Sequence, residues 1–493
     1  MTCYEYFPNY ALRKRISALF FEIHSILSLV NPNKEGYYLQ PLIVSTLPEQ
    51  TTLSRSFENI LHHRFFAWGI ALYLGLHVLY FVLPSLPFAN DSLSYYRWAE
   101  ENVKSGTLYP SKYNVHLQEE AIVTPVYINM EVVALTIWND PKAIYVLNAL
   151  LNLGQLALVY LVALRLFGEG PAVVGGCLYM LYLNNLGLVL VNYTEMAFGF
   201  FVLLSVYIFF TRQTNPALFL SGLILGLAIG VRPTGMAALI AYLLMVSWDM
   251  LHRRWEVRKS LTVAVGLCVY VIAAGLYTQH SVSDFAFMSA TGPGNILLGA
   301  NDQANGQYNV EELNMPESKI QSYKERNQAL SRHAFDWIRA HPFQWISTFP
   351  RKIYSTYISD DFAVSQLLLD PDWTFNRYVK DVRTGRLEQF ESKPIAYKTA
   401  FLVLNVYHQL FYMLLVAAFL LQALGVIRGK TLTRNEALLY LFIFVGFCMT
   451  VVGTIGSLRY KYNFLIAAII LCSPYFAKLS GKWFKSSSSN LSV

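Results

Sequence analysis

The feature that most constrains this chain is a recurring one: apolar stretches of roughly twenty residues, separated by short polar segments in which Lys and Arg collect. A helix of about twenty residues, rising about 1.5 Å per residue, matches the ~30 Å hydrocarbon thickness of a bilayer. Such runs lie at 66–86, 143–166, 171–191, 196–211, 217–231, 234–251, 260–278, 399–426, 436–453 and 460–477, which predicts ten membrane spans. With 55% of its 493 residues hydrophobic and 14% charged, the chain is too apolar for a soluble domain of this length. Its net charge of +7 sits in the clusters between runs, so it reads as a topology signal and argues against nucleic acid as a partner. The predicted class is an all-α polytopic membrane protein whose first partner is the lipid bilayer.

An eleventh apolar stretch, 121–138, carries Pro125, Asn129 and Glu131 and is barely long enough to cross. Charge decides its placement. If it lies in the membrane plane, the clusters containing Arg55, Arg64, Arg165, Arg212, Arg254, Arg434 and Lys482 all fall on one side, the cytoplasm. If it crosses, the cluster from His252 to Lys259 moves outside and the positive-inside rule fails at its strongest site. Both termini are therefore expected in the cytoplasm, in a plasma or inner membrane. The first sixty-five residues, lacking the pattern of a cleaved signal, leave insertion to the first span.

This topology divides the chain into five parts. Residues 1–65 form a cytoplasmic segment, with a helical apolar stripe over 10–30 flanked by Arg13, Lys14 and Arg15 that suits a membrane surface. An N-terminal transmembrane module, 66–278, contains a first outer loop at 87–142. An outer lobe at 279–398 follows, then C-terminal helices at 399–478 and a cytoplasmic tail at 479–493. Of the five cysteines, four lie inside apolar runs, so neither a disulfide framework nor a metal spacing is present.

Four charged residues fall where the topology makes them expensive. Asp91 lies just beyond the first span and Glu195 opens the run beginning near 196. Arg232 is at the tip of a hairpin, and Arg459 precedes the last span. Each has a bland explanation: an N-terminal acid caps or complements a helix, with Thr194 the expected cap beside Glu195, and an arginine can snorkel to lipid headgroups. All four are nevertheless predicted on one membrane face, where ionisable groups mark function. Arginine binds phosphate through a planar fork, a carboxylate can take a proton from an attacking hydroxyl, and a phosphate leaves already anionic. The chemistry this set suits is sugar transfer from a lipid phosphate.

In order along the chain, these residues resemble the GT-C glycosyltransferases, in particular family 39, which includes the dolichyl-phosphate-mannose protein mannosyltransferases and aminoarabinose transferases. Asp91 with Tyr95, the turn Gly106 to Pro110, the stretch Thr124 to Trp138, Glu195, the Gly226 to Gly235 hairpin and Arg459-Tyr460-Lys461-Tyr462 carry the resemblance. It implies a GT-C-like bundle with an active site at the outer face, a polyprenyl-phosphate sugar donor and inversion at the anomeric carbon. Asp91 would be the general base, Glu195 a second acid lining the site, Arg232 and Arg459 the donor-phosphate ligands, and Tyr95 and Tyr460 site-lining. Two departures stand out: Asn90-Asp91-Ser92 has one carboxylate where the family has adjacent acids, and Thr124 replaces a lysine. The single acid leaves a divalent metal unsupported, and no other cofactor is implied. The acceptor is a hydroxyl on protein, lipid or glycan. A transporter or lipid flippase, a polysaccharide polymerase or ligase, and an inactive scaffold are the competing readings.

Overall fold

The computed structural model describes residues 64–83, 88, 91–118, 122–251, 257–307, 315–320, 323–370, 373–453 and 455–489. The amphipathic stripe expected over 10–30 lies outside them. Among the described residues the chain is helical, without strands. The N-terminal module runs α1 (Arg64–Val82), α2 (Asp91–Ser105), α3 (Pro125–Ile137), α4 (Lys142–Phe167), α5 (Glu169–Leu181), α6 (Leu183–Gly187), α7 (Glu195–Thr211), α8 (Asn215–Val231), α9 (Met236–Leu251) and α10 (Val257–Val282). The lobe follows as α11 (Gly292–Leu298), α12 (Tyr323–Ala340), α13 (Pro342–Ser347), α14 (Phe349–Tyr357), α15 (Phe375–Thr384) and α16 (Glu388–Glu391). Three long helices close the chain: α17 (Ile395–Ile427), α18 (Arg434–Val452) and α19 (Tyr462–Ser489).

Seven described helices are long and apolar enough to cross a bilayer, and an eighth span is formed if a bent pair is counted as one. That pair corrects the single run expected at 171–191. α5 ends at Leu181, and the chain turns by 59° before continuing through α6 to Leu190. Neither Pro nor Gly marks the break; asparagine side chains support it instead. Asn185 Nδ2 donates to the Tyr179 carbonyl at 2.6 Å, and Asn184 Oδ1 accepts from the Ala363 amide at 3.1 Å. Irregular backbone in an apolar setting needs such partners, because no water is there to supply them. α7 and α8, at 17 residues each, are ~25 Å long and slightly shorter than the hydrocarbon layer.

Helix contacts in the module are made close by small residues. A Cβ on Gly222 would lie 2.0 Å from the Val263 carbonyl oxygen, and one on Gly266 would lie 2.0 Å from that of Phe219. α8 and α10 therefore meet backbone to backbone, where dispersion rather than the hydrophobic effect holds helices in lipid. α3 is 13 residues long and presents buried groups around its circumference, from Tyr127 and Ile128 to Glu131 and Leu135. It enters through Thr124, whose φ of 36° is costly for a β-branched residue. Thr124 Oγ1 donates to the Val231 carbonyl at 2.7 Å, fixing α3 against the end of α8.

The lobe has two small apolar centres of its own. Leu297, Ala300, Leu330, Ala334 and Trp337 pack α11 on α12, while Trp373, Phe390 and Phe401 tie α15 and α16 to the head of α17.

Candidate active site

Local chain geometry brings the four charged residues together. Asp91 is the first residue of α2 and Glu195 the first of α7. Arg232 is extended, with φ −147° and ψ 134°, because the following Pro233 disfavours a helical conformation at the residue before it. Arg459 lies in a 3-10 turn, Leu458–Lys461, between α18 and α19. Arg459 Nη1 donates to Asp91 Oδ2 at 2.7 Å, and Arg459 Nε to Glu195 Oε1 at 2.9 Å. The same Glu195 oxygen accepts from Arg232 Nη1 at 2.5 Å. Acid and base thus alternate across residues separated by up to 368 positions in the chain.

The two acids are not equivalent. The Asp91 side chain is 54% exposed and borders a cavity of about 930 Å³, whereas Glu195 is fully buried and absent from its lining. Glu195 meets the site through the two guanidinium groups, which its Oε1 holds side by side. Thr194 does not cap α7, since its Oγ1 accepts from Arg232 Nη1 at 3.2 Å instead. An arginine presents five N–H donors in a fixed fork. Nη2 of Arg232 and Nη2 of Arg459 make no bond among the described residues, so each retains donor capacity for an anion. Tyr95 and Tyr460 both border the cavity, and the Arg459 guanidinium lies 3.8 Å from the Tyr193 ring centre.

The cavity changes character along its length. Asp91, Arg232, Arg459 and Thr194 form a polar head. Ile240 of α9 and Phe444, Val445 and Met449 of α18 form an apolar wall. Phe444 is 62% exposed on the molecule's outer surface, so the apolar end reaches the surface that faces lipid.

Further residues, to which the sequence gave no role, hold this geometry. Lys461, two positions beyond Arg459, is buried; its Nζ donates to the Thr356 carbonyl at 2.7 Å and to the Ser359 carbonyl, and lies 3.2 Å from Asp360 Oδ1. The other Asp360 oxygen accepts from Tyr182 OH at 2.5 Å and faces His408 Nε2 at 3.3 Å. Burial pushes the Asp360 carboxyl up, but Lys461 and His408 bring it below its ordinary value, so it stays ionised. The turn carrying Arg459 is thereby fastened to the lobe and to the broken span. At the opposite side, Asn192 Nδ2 donates to the Ser92 carbonyl at 3.1 Å, and Tyr127 OH lies 2.8 Å from Asn192 Oδ1, which fixes the start of α2 beside α3. A lysine inside an apolar run was the available signal for Lys461; nothing in the sequence marks Asp360 or Asn192. Among the described residues no group of three His, Cys, Asp or Glu side chains is arranged around a metal site.

Residues 125–277 match the dolichyl-phosphate-mannose-protein mannosyltransferase family. The chain resembles these transferases over that stretch. This is just under a third of the chain, and it contains Glu195 and Arg232 but neither Asp91 nor Arg459. It meets the resemblance to GT-C glycosyltransferases carried by the motifs. Two solved structures are similar in course. The oligosaccharyltransferase AglB from Archaeoglobus fulgidus, in complex with an inhibitory peptide and a dolichol-phosphate, is 13% identical with a TM-score of 0.47. The match covers 89% of this chain and 52% of that one, so this chain spans about half the length of its relative. ArnT from Cupriavidus metallidurans bound to undecaprenyl phosphate is 12% identical with a TM-score of 0.38, covering 83% of this chain and 77% of that one. No curated protein matches the chain.

Proposed function

We propose that the chain is an inverting glycosyltransferase that moves a sugar from a polyprenyl-phosphate donor to a hydroxyl acceptor at the outer membrane face. The observation that carries this reading is the cavity itself, with two arginines and a half-exposed carboxylate at one end and an apolar wall opening to lipid at the other. The donor phosphate would sit between Arg232 and Arg459 with its prenyl chain along α18. The acceptor oxygen attacks the anomeric carbon from the side opposite the phosphate and gives its proton to Asp91. The bond from that carbon to the phosphate oxygen breaks, and its electron pair leaves on the phosphate, where the arginines stabilise it. Charged groups gathered at one end, rather than at the bilayer midplane, favour an enzyme over a transporter.

The first test is donor use. Arg232→Lys and Arg459→Lys should each weaken use of a polyprenyl-phosphate sugar in reconstituted vesicles, and the alanine variants should weaken it further, because Lys keeps the charge but lacks the fork. Equal activity in parent and alanine variants would remove the phosphate site from this cavity.

Sidedness is a separate expectation from the charge bias. Single cysteines at Ser105 and Gln303 should react in intact cells with a membrane-impermeant maleimide, while cysteines at Arg258 and Arg434 should react only after lysis. The reverse pattern would place the cavity on the cytoplasmic face.

A further inference from the structure

Beside the cavity lies a second cleft that the proposed chemistry does not use. It has a volume of about 590 Å³ and runs between the segment Asp284–Ala290 and helix α12. The α12 side is built from Lys324, Asn327, Gln328, Ser331 and Arg332. These positions follow i, i+3, i+4, i+7 and i+8, the spacing of one helical face. It is not the face that packs into the lobe, which is made by Leu330, Ala334 and Trp337. α12 therefore buries one stripe and turns a wholly polar stripe to the cleft.

The two spaces share Ser289, with the backbone on either side of it as the wall between them. That wall is pinned from both directions. The Ala290 amide donates to the Ile122 carbonyl at 2.8 Å, and Asn327 Nδ2 donates to the Ala290 carbonyl at 2.8 Å. The cleft and the cavity that Asp91 borders are thus held next to each other and meet at Ser289.

The chemistry of the cleft selects a class of ligand. Amide and hydroxyl groups of Asn327, Gln328 and Ser331 suit a ligand with many hydroxyls. Phe285, which is 47% exposed, and Phe287 offer apolar faces for the C–H side of a sugar ring. Lys324 and Arg332 stand eight residues apart, ~12 Å along the helix, and neither is ion-paired among the described residues. Two cations at that separation, against Asp284 alone on the facing wall, favour an anionic ligand.

We infer that this cleft is the acceptor site, and that the acceptor is an acidic saccharide, bearing phosphate or carboxylate groups, whose free hydroxyl reaches the cavity past Ser289. The inference rests on the transferase reading and gives it a substrate class. An acidic Ser- or Thr-containing peptide is the competing acceptor, and such a peptide would use the cations and the amide row while leaving the two phenylalanine faces without the C–H surface of a sugar ring.

The test is binding by the full-length protein in phosphatidylcholine nanodiscs, read by saturation-transfer NMR. The probes are tetragalacturonic acid, maltotetraose and the peptide Glu-Ser-Glu-Thr. Tetragalacturonic acid should bind, maltotetraose more weakly and the peptide not measurably. Lys324→Ala and Arg332→Ala should each weaken the acidic probe about tenfold, and Arg332→Lys less. Both side chains are exposed, so the variants should fold as the parent does. Undecaprenyl phosphate should bind independently of tetragalacturonic acid and unchanged in all three variants. Preference for the peptide, equal binding of acidic and neutral saccharides, or indifference to both alanine substitutions overturns the acceptor assignment. Failure of undecaprenyl phosphate to bind the parent protein, with the saccharide result intact, counts instead against the donor reading.

Discussion

Asp91→Asn is expected to lower sugar transfer by roughly two to four orders of magnitude, the range for loss of a positioned acid–base group, while leaving the protein folded and inserted. The Asp91 side chain is half exposed and borders the cavity, and among the described residues its side-chain partner is Arg459, through Oδ2 at 2.7 Å. Oδ1 is left to meet an acceptor hydroxyl, whose acidity rises only as its bond to the anomeric carbon forms. A carboxylate within about 3 Å takes that proton in the transition state and also offsets the positive charge that grows on the sugar ring. Asparagine keeps the size and can still accept from Arg459, so donor binding should change little. The measurement is single-turnover transfer from a polyprenyl-phosphate sugar, alongside donor affinity and thermal stability. Near-parental transfer by a well-folded variant would falsify the assignment of Asp91 as the base.

Different parts of this arrangement were legible in the sequence to different degrees, for physical reasons. Hydropathy sets depth, so Asp91, Glu195, Arg232 and Arg459, each at the end of an apolar run, could be placed at one level of the membrane before any contact was known. Their meeting across 368 positions depends on helix packing, which the one-dimensional pattern does not contain. The division of labour between the acids was likewise invisible: both begin a helix, yet one borders the cavity and the other is sealed behind arginines. The bend at Tyr182 escaped because its supports carry no helix-breaking signature: Asn185 bonds back to the Tyr179 carbonyl, and Asn184 works through the Ala363 amide far away in the chain. Asp360 escaped for a related reason: an aspartate in a polar loop looks solvated until Lys461 and Tyr182 are seen to enclose it. The acceptor cleft was unreadable, since the polar face of α12 resembles any solvated helix face until the segment 284–290 is laid across it.

Glu195→Gln should destabilise the protein by roughly 3 kcal/mol, near the lower end of the cost of stripping one partner from a buried ion pair. Glu195 Oε1 accepts from both arginines, at 2.5 and 2.9 Å, on a side chain with no exposure. A glutamine whose oxygen takes the Oε1 place can still accept from both guanidinium groups, but it carries no charge, so the two buried cations lose the anion they share. Arg459 keeps its contact with Asp91, so the heavier loss falls on Arg232, whose side chain is only 12% exposed. Two cations held close without their shared anion repel, and the phosphate site should open. Donor affinity should therefore fall together with melting temperature in purified, lipid-reconstituted protein. Adding Arg232→Gln removes the uncompensated charge and should recover part of the stability without recovering donor binding, a coupling that a double-mutant cycle measures directly. A base behaves otherwise: its amide variant leaves stability and donor affinity alone and removes the chemical step. A Glu195→Gln protein as stable as the parent, binding donor normally yet failing at transfer as badly as Asp91→Asn, would give the proton to Glu195 and leave Asp91 as the residue that orients Arg459.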